Sequence, residues 1–314
     1  MIGILVVDKP SGWTSHDVVG KIRSHFELDK VGHAGTLDPN ATGVLVLAVG
    51  AATRFIRFLP TDPKEYEAEM ILGVRTDTLD ITGQVLSEKS SSLDLEELES
   101  AFAEFSGEIC QVPPMFSAVK SGGKPLHRLA RRGEEIKREP RKVHIFDLRI
   151  LKVIADEHQK VLFSVTCSKG TYVRTLCEDI GNRLGPGACL GRLVRVRSGD
   201  FALRDAHKLS GIVELSKEEF AKIPLPLNEA LVKYNLVAVK DEFRALVLSG
   251  GSINYSMVAP GVGSIGKDET VRIIDNGRNL LGLAKAQIGF SADVSVDPKQ
   301  IILRPVCILS HKND

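Results

Sequence analysis

The sequence predicts a chain that mixes α-helices with β-strands over about its first 230 residues and then changes to short strands. Two observations lead to this prediction. Short apolar runs alternate with helices whose ends carry capping residues, and from about residue 236 Gly-rich turns separate β-rich runs. A helical stretch at residues 216–231 is predicted to join the two regions. Periodicity alone does not separate an α+β from an α/β arrangement here.

Capping residues locate the helices. Thr14 or Ser15 can cap a helix along which apolar residues recur at helical spacing. Asp94 and Glu97 form a capping-box signature for a second helix, and Gly185 should end a third that begins near residue 174. Strands are predicted from apolar or alternating runs at residues 4–7, 44–49, 66–72, 143–153, 161–167, 271–274, 280–284 and 301–306.

The charge of the chain is small but unevenly distributed. With 314 residues the chain can bury a sizeable core, and its formal net charge of +1 argues against coating nucleic acid by bulk charge. Residues 87–108 carry seven acids and one base, whereas residues 119–149 carry ten Lys or Arg against four Asp or Glu. Residues 169–204 are basic as well, with seven against three. The two basic segments are candidate contact surfaces for a polyanion.

Cysteine usage and missing motifs narrow the chemistry. The five cysteines are odd in number and form no C-x-x-C pair, which favours reduced thiols over a disulfide framework or a zinc site. No window approaches 18 apolar residues, and the apolar run at residues 2–7 is too short for a secretory signal, so a cytoplasmic protein is expected. A G-x-G-x-x-G pattern at residues 261–266 precedes a β-like run instead of a helix, which argues against a dinucleotide site.

The loop at residues 32–43 holds the most informative carboxylate. Pro39 biases Asp38 away from helical geometry, and nearby glycines allow the backbone to turn tightly, so the side chain can be presented on a shaped loop. Taken alone, an aspartate in such a loop is more often the cap of a turn. The wider pattern of motifs favours a functional role instead.

That pattern resembles the tRNA pseudouridine synthase B family. The matching motifs follow one order across most of residues 1–200: Lys9-Pro10-x-Gly12-x-Thr14-Ser15-His16, Gly32-His33-x-Gly35-Thr36-Leu37-Asp38-Pro39-x-Ala41-Thr42-Gly43, Lys64-x-Tyr66, Gln111-x-Pro113-Pro114-x-x-Ser117-Ala118-x-Lys120, Ser168-Lys169-Gly170-Thr171-Tyr172-Val173-Arg174-Thr175 and Gly191-Arg192-Leu193-x-Arg195. More loosely, the last 80 or so residues resemble the PUA-like RNA-binding domain of these enzymes.

The resemblance implies a fold and a function. The fold is α+β: a catalytic domain at about residues 1–230 around a mixed, largely antiparallel sheet, with a basic RNA-gripping insertion at about 120–149, then a small β-barrel-like PUA domain at 235–314. The implied reaction is isomerisation of uridine to pseudouridine at position 55 in the T-loop of tRNA. Neither a metal nor an organic cofactor is implied. The expected partner is the tRNA T-stem-loop, without a membrane or an obligatory protein partner.

The resemblance also assigns three catalytic residues. Asp38 corresponds to the catalytic aspartate, Arg174 to an arginine that would keep this carboxylate ionised and oriented, and Tyr66 to the tyrosine that stacks on the target base. The reaction breaks an N–C glycosidic bond and forms a C–C bond to the same base, so a carboxylate could act as nucleophile, as base or as stabiliser of an oxocarbenium-like state. The sequence does not decide which of these three roles the carboxylate plays.

Further residues are implied to contact the substrate. The resemblance gives Tyr172 and Leu193 places around the base and lets His33 fill the space left by the flipped base, while Lys9 and Lys64 shape or line the cleft. Tyr172 and Leu193 could equally be ordinary core residues. The implied RNA contacts in the basic insertion, which could instead be a solvated helix face, are Lys120, Lys124, Arg128, Arg131, Arg132, Arg141 and Lys142.

Three other functions remain open. A non-catalytic RNA-binding or RNA-folding protein would keep its role after Asp38→Asn, whereas an isomerase would lose its activity. The catalytic subunit of a guide-RNA machine would need protein partners, so modification by the purified chain would argue against it. A nucleoside hydrolase would release free base, whereas an isomerase leaves the RNA chain intact.

Overall fold

Strands form most of the regular structure. The computed structural model describes residues 1–117, 119–121, 124–130, 132–134, 136–293 and 295–309. Its strands are β1 (Gly3–Lys9), β2 (Val31–His33), β3 (Thr42–Val49), β4 (Lys64–Leu72), β5 (Val74–Thr76), β6 (Val85–Glu88), β7 (Gly107–Gln111), β8 (Lys120–Ser121), β9 (Lys124–Pro125), β10 (Arg141–Ile154), β11 (Lys160–Cys167), β12 (Ala188–Ser198), β13 (Phe201–Ala202), β14 (His207–Lys208), β15 (Asn235–Ala238), β16 (Ile253–Asn254), β17 (Thr270–Ile274), β18 (Leu280–Ala286) and β19 (Ile301–Ile308).

The helices are shorter and lie between the strands. They are α1 (Ser15–His25), α2 (Leu95–Ala103), α3 (Leu126–Ala130), α4 (Val173–Leu184), α5 (Leu209–Ile212), α6 (Lys217–Phe220), α7 (Leu227–Ala230) and α8 (Arg244–Leu248), with 3-10 turns at Gly50–Phe58, Leu203–Asp205, Asp241–Phe243 and Tyr255–Met257. Within the described ranges, none of these helices is long and apolar enough to cross a membrane.

The large sheet confirms the predicted α+β fold. Its strand order is β14-β1-β3-β12-β4-β11-β10-β7, with β2 paired to β3 and β13 to β12. Strands β1 and β14 are parallel, as are β3 and β12, and the other pairs are antiparallel. The sheet is therefore mixed and largely antiparallel. It places β12, which is far from both in the sequence, between β3 and β4.

The C-terminal strands form a second sheet. Its order is β15-β17-β18-β19-β16, and only the β15–β17 pair is parallel. This agrees with the expected change to short strands and turns. The stretch at 216–231 is not one helix, however: it contains the separate single turns α6 and α7. Pro224 and Pro226 lie between these turns, and proline lacks the amide donor that a continuous helix requires.

The predicted helix caps are confirmed. The Thr14 hydroxyl accepts a hydrogen bond from the Asp17 amide at 3.1 Å, and the Asp17 carboxylate accepts one from the Thr14 amide at 2.9 Å. Asp94 and Glu97 make the same reciprocal pair at the start of α2. These side chains satisfy amides that have no partner within the helix, which fixes where each helix begins.

Apolar residues on the two faces of the large sheet enter two different cores. Leu5 and Val7 of β1 pack in a core with Val18 and Ile22 of α1. The alternate residues of β1 point to the other face, because side chains along a strand alternate. There they join a second core that includes Leu231 and residues of the C-terminal sheet. The first core also contains the buried apolar residues of α4, the helix that carries Arg174.

Candidate active site

An ion pair between Asp38 and Arg174 forms the centre of the site. Arg174 Nε lies 2.8 Å from Asp38 Oδ2, and Arg174 Nη2 donates a hydrogen bond to Asp38 Oδ1 at 3.1 Å. One hydrogen bond and one close ion-pair contact therefore orient the carboxylate. The Arg174 side chain is only 4% exposed, whereas the Asp38 side chain is 39% exposed. The carboxylate is thus held from the protein side and remains open to a substrate.

Other groups hold Arg174 in turn. Its Nη1 donates to the Thr78 carbonyl and its Nη2 to the Phe116 carbonyl, both at 3.0 Å. The Asp80 carboxylate lies 3.7 Å from Nη1. The Asp80 side chain also accepts hydrogen bonds from the Thr82 amide and hydroxyl, which ties it to its own loop. Three separate segments therefore converge on one guanidinium.

Helix α4 begins at the site because of Gln111. The buried Gln111 amide accepts a hydrogen bond from the Tyr172 backbone N–H at 3.0 Å and donates one to the Tyr172 carbonyl at 3.3 Å. Tyr172 is the N-cap of α4, and its own side chain makes no capping bond. Gln111 on β7 thereby fixes the first turn of α4, on which Arg174 lies.

The loop that carries Asp38 is held from beneath. The buried Ser15 hydroxyl accepts from the Leu37 amide at 2.9 Å and donates to the Leu37 carbonyl at 3.2 Å. Lys9 is fully buried, and its ammonium donates to the carbonyls of Pro10, Trp13 and Pro39 at 2.6–2.9 Å. Lys9 therefore shapes the cleft from below, and the structure does not place it among the residues that line the cavity.

A cavity of about 300 Å³ opens above the ion pair. Its volume is at the lower end of the range for small-ligand pockets, about 300–1,000 Å³. The structure places six of the predicted residues on its wall: Asp38, Lys64, Tyr66, Tyr172, Arg174 and Leu193. Other parts of the wall come from the backbone around Gly35 and Gly170. The cavity thus joins a held carboxylate to aromatic and apolar surface.

Tyr66 and Leu193 lie on neighbouring strands. Tyr66 is on β4 and Leu193 on β12, and the exposed fractions of the two residues are 7% and 8%. Burial raises the pKa of the Tyr66 hydroxyl, so the phenol stays protonated at neutral pH. Both residues belong to the main core and also border the cavity. Leu193 is therefore a core residue that also borders the cavity, and its contact with the substrate stays a prediction.

His33 lies outside the described wall of the cavity. It ends strand β2, and its ring meets the His16 ring edge-on at a centroid distance of 5.1 Å. Burial is the main factor that lowers the pKa of His33, followed by the electrostatic influence of His16 and then of Arg195. The imidazole is therefore predominantly neutral at neutral pH, so any contact of His33 with RNA would not depend on a positive charge.

The basic insertion is only partly described. Arg131 lies outside the described residues, as do the side chains of Lys120, Lys124 and Arg128. Arg132 is exposed. Residues 141–149 belong to β10 of the large sheet, so only the part before residue 141 stands outside that sheet.

Two further predicted RNA contacts lie at the start of β10. Arg141 and Lys142 are both exposed. The Lys142 ammonium lies 2.8 Å from the Glu108 carboxylate on β7. An exposed pair of this kind is weak, so Lys142 can exchange Glu108 for a phosphate at little cost.

Sequence reasoning missed two residues that hold the site. Asp80 had no motif around it, and its proximity to Arg174 arises only when the loop after β5 folds against β12. Arg195 was noticed only as the end of a motif. It is fully buried, and its guanidinium donates to the carbonyls of Gly35, Thr36 and Val44. The available signal was an arginine alternating with apolar residues at 188–198, a stretch that forms β12 and that the sequence analysis did not predict as a strand.

Family models cover the region that builds the site. The model described as TruB family pseudouridylate synthase (N terminal domain) matches residues 23–173, and the tRNA pseudouridylate synthase B C-terminal domain matches residues 174–232. The solved structures with a similar fold include a chain of an H/ACA RNP bound to a substrate RNA containing 2′-deoxyuridine. It has 28% sequence identity and a TM-score of 0.72 over 98% of this chain and 84% of that chain. A chain of a Cbf5-Nop10-Gar1 complex has 30% identity and a TM-score of 0.71 over the same shares.

Curated relatives match most of the chain. A tRNA pseudouridine synthase B of Syntrophotalea carbinolica is 48% identical over 74% of this chain and 76% of its own length. That of Clostridium kluyveri is 41% identical over 90% of this chain and 95% of its own, and that of Moorella thermoacetica is 38% identical over 96% and 99%. The sequence motifs, the sheet and these matches agree, and the chain belongs to the TruB family of tRNA pseudouridine synthases.

Proposed function

We propose that this chain converts uridine 55 in the T-loop of tRNA to pseudouridine, with Asp38 as the catalytic carboxylate. The observation that carries the proposal is the ion pair of Asp38 with the buried Arg174 at the base of a cavity lined by Tyr66. Relatives named tRNA pseudouridine synthase B, 38–48% identical over most of the chain, support the choice of tRNA as substrate.

The geometry suits a reaction that rearranges one glycosidic bond. The bond from C1′ to N1 of uracil must break, and a bond from C1′ to C5 must form, with loss of the C5 proton and gain of a proton at N1. Arg174 holds Asp38 as an oriented carboxylate, which can act at the sugar as nucleophile, as base or as stabiliser of positive charge. Atoms and electrons balance within the uridine, so the reaction consumes no second substrate.

A uridine in a T-loop must leave its stack before Asp38 can reach its sugar. Flipping costs a few kcal/mol, and stacking on an aromatic side chain returns about 1–3 kcal/mol. Tyr66 provides that aromatic surface on the cavity wall, with Leu193 beside it. Tyr172 and Lys64 complete the wall. We propose that these four residues bind the flipped nucleotide, and that His33 contacts the RNA next to it.

We also propose that the basic segment at residues 120–142 grips the T-stem. Arg132 and Lys137 are exposed there, as are Arg141 and Lys142 at the start of β10. Contacts of lysine and arginine with phosphates release counterions, so binding should weaken steeply as salt is raised. We propose further that the C-terminal region, residues 235–314, is a PUA-like RNA-binding domain. We also propose that the enzyme is cytoplasmic and needs no protein partner.

The test is tritium release from a tRNA transcript labelled at uridine C5. The purified chain should release tritium from one T-loop uridine, and a transcript with cytidine at position 55 should release none above background. Asp38→Asn should slow release by at least about 10³-fold while leaving tRNA affinity nearly unchanged, because the amide keeps the shape and loses the charge.

Asp156→Asn is the matched control, since Asp156 is exposed in the turn between β10 and β11 and pairs with Lys160. This variant should keep the full rate. Release that survives Asp38→Asn would contradict the catalytic assignment.

The similarity to chains of H/ACA RNPs favours one alternative, a catalytic subunit that requires a guide RNA and partners. The same experiment separates the two. Modification by the purified chain alone supports the stand-alone enzyme, whereas binding of tRNA without release in that preparation would favour the guide-dependent machine.

A further inference from the structure

We infer that Arg195 is a positioning residue for this reaction: its buried guanidinium holds the Asp38 loop, and its backbone lies between the end of that loop and the strand that carries Tyr66. The inference deepens the proposed function and rests on it. Arg195 itself does not line the cavity in the described structure, so any effect on the reaction must act through the groups that it holds.

The first part of the argument is the set of hydrogen bonds. Arg195 Nε donates to the Val44 carbonyl at 2.7 Å, Nη1 to the Thr36 carbonyl at 3.3 Å and Nη2 to the Gly35 carbonyl at 3.1 Å. Gly35 and Thr36 precede Asp38, and Val44 follows it on β3. One planar fork therefore spans both sides of the loop that presents the catalytic carboxylate.

The backbone of Arg195 supports the same loop. Strand β12 pairs with β3 so that Arg195 lies opposite Gly43. Gly43 has a φ of +96°, and a Cβ added to it would lie 2.3 Å from the Arg195 carbonyl oxygen. A side chain at position 43 cannot fit, so the loop ends in direct contact with β12. The loop is thus held both by the side chain and by the main chain of one residue.

The second part of the argument is the link to Tyr66. Arg195 lies opposite Tyr66 in the pairing of β12 with β4, and the positive charge of its guanidinium lowers the pKa of the Tyr66 hydroxyl, against the larger effect of burial. The residue that holds the Asp38 loop is therefore also the strand neighbour of Tyr66.

The third part is the cost of placing this charge in the interior. Arg195 is fully buried, and no ion pair to it is found among the described residues. Its charge is balanced by carbonyl dipoles, all from the loop and β3. Burying a cation is expensive, and an apolar residue would fill the space at lower cost. A planar cation with five donors is the one side chain that can satisfy these acceptors together.

The test compares Arg195→Lys and Arg195→Met with the full-length wild type in the tritium assay. Each variant is measured in single turnover at saturating enzyme, and tRNA affinity is measured separately. We expect the single-turnover rate constant to fall about 100-fold in both variants, because displacing a reacting group by about 1 Å costs roughly that much. The dissociation constant for tRNA should change less than about threefold. Lysine keeps the charge but not the fork, so it should not restore the rate.

The matched control is Arg57→Lys. Arg57 also donates to a backbone carbonyl, that of Val306 at 3.3 Å, but it lies in the 3-10 turn at Gly50–Phe58 and not on the described cavity wall. This variant should keep the wild-type single-turnover rate. All assays run at a temperature where thermal unfolding shows each variant to be folded.

The outcomes are distinct. A slow rate constant in folded Arg195 variants with nearly normal tRNA affinity supports the inference. A rate constant within threefold of the wild type, or a loss that disappears once the folded fraction is corrected for, overturns it. If the wild-type chain itself releases no tritium, the proposed function fails, which is a separate result from an active wild type with equally active Arg195 variants.

Discussion

At the scale of single residues, Arg174 organises the site. Its guanidinium contacts the Asp38 carboxylate and the carbonyls of Thr78 and Phe116, which belong to three different loops. Such charge-assisted bonds are about twice as strong as neutral ones. Because Phe116 directly precedes the basic insertion, the residue that orients the carboxylate also contacts the root of the segment proposed to grip RNA.

Lys9 gives the reaction a predicted pH dependence. Burial lowers the pKa of Lys9 to about 8, although the nearby Asp38 carboxylate opposes the shift. The ammonium form uses all three of its protons on carbonyls, one of them on Pro39 next to Asp38. The neutral amine has only two protons, so one bond is lost as the pH rises through about 8. We expect the single-turnover rate to fall roughly fivefold, equivalent to about 1 kcal/mol, between pH 7 and 9.

A pH profile of single-turnover rate constants checks this prediction. Lys9→Met should be slower at pH 7 and should show no decline centred near pH 8. Any effect of uridine ionisation is the same for both proteins, so the difference between their two pH profiles reports the ionisation of Lys9. An identical decline in the wild type and the variant would show that Lys9 is not its source.

At the scale of elements, helix α4 shows how the site is anchored. The Gln111 amide, which contacts the backbone of Tyr172, supports its first turn, and Gly185, with a φ of 102°, ends the helix. Only a residue that tolerates a positive φ ends a helix in this way without strain. Arg174 lies in the first turn of the helix, where fraying would be greatest if Gln111 did not fix this end.

Helix α4 also carries a carboxyl that reduces stability at neutral pH. Burial, followed by the charge of Glu178, raises the pKa of Asp179 to about 6. Between about pH 4 and 6 the folded chain keeps a proton that the unfolded chain has lost, so the contribution of Asp179 to stability falls as the pH rises through this window. Above about pH 6 the folded state holds a poorly solvated charge.

Asp179→Asn should therefore stabilise the protein at pH 7.5. We expect Tm to rise by about 2 °C at that pH and to change little at pH 4, where the folded state is already neutral at this position. The single-turnover rate should stay the same, since Asp179 is not on the described cavity wall. A lower Tm at pH 7.5 would show that the carboxylate has a stabilising partner in the folded protein.

At the scale of the whole molecule, one core connects the two sheets. Val6 and Val46 of the large sheet belong to the same cluster as Leu231 of the connecting segment and Leu283 of the C-terminal sheet. Leu283 and Leu231 are fully buried. Since a shared core cannot open on one side alone without exposing apolar surface on the other, we expect both sheets to unfold together.

Leu283→Ala tests this coupling. The variant should lose about 2–5 kcal/mol of unfolding free energy, because it removes methyl groups from a closed core. The loss should appear in the fluorescence of Trp13, the single tryptophan, although that residue lies near α1. Leu86→Ala, on the exposed side of β6, should have little effect. A denaturation curve of Trp13 that does not shift in Leu283→Ala would show that the two sheets unfold independently.

The sequence by itself determined the helix ends and most of the long strands, because these depend on neighbouring residues. Thr14 and Asp94 cap α1 and α2 with side chains that act three residues away, and Gly185 ends α4 through its own backbone freedom. Apolar runs likewise predicted most of the long strands. These signals depend on residues within one or two helical turns, so they can be recognised without knowledge of the tertiary structure. The motif around Asp38 and the family resemblance added the cavity residues.

Only the tertiary structure decided how the site is held. Arg174 meets Asp38 across 136 residues of sequence, and Arg195 meets Gly35 across 160. No local periodicity encodes such contacts, since they exist only after β3, β4 and β12 become neighbours in one sheet. The same holds for Lys9, which sequence patterns placed at a cleft and the fold buried beneath it. The sequence predicted which side chains do chemistry, and the closure of the sheet determined which residues hold them in place.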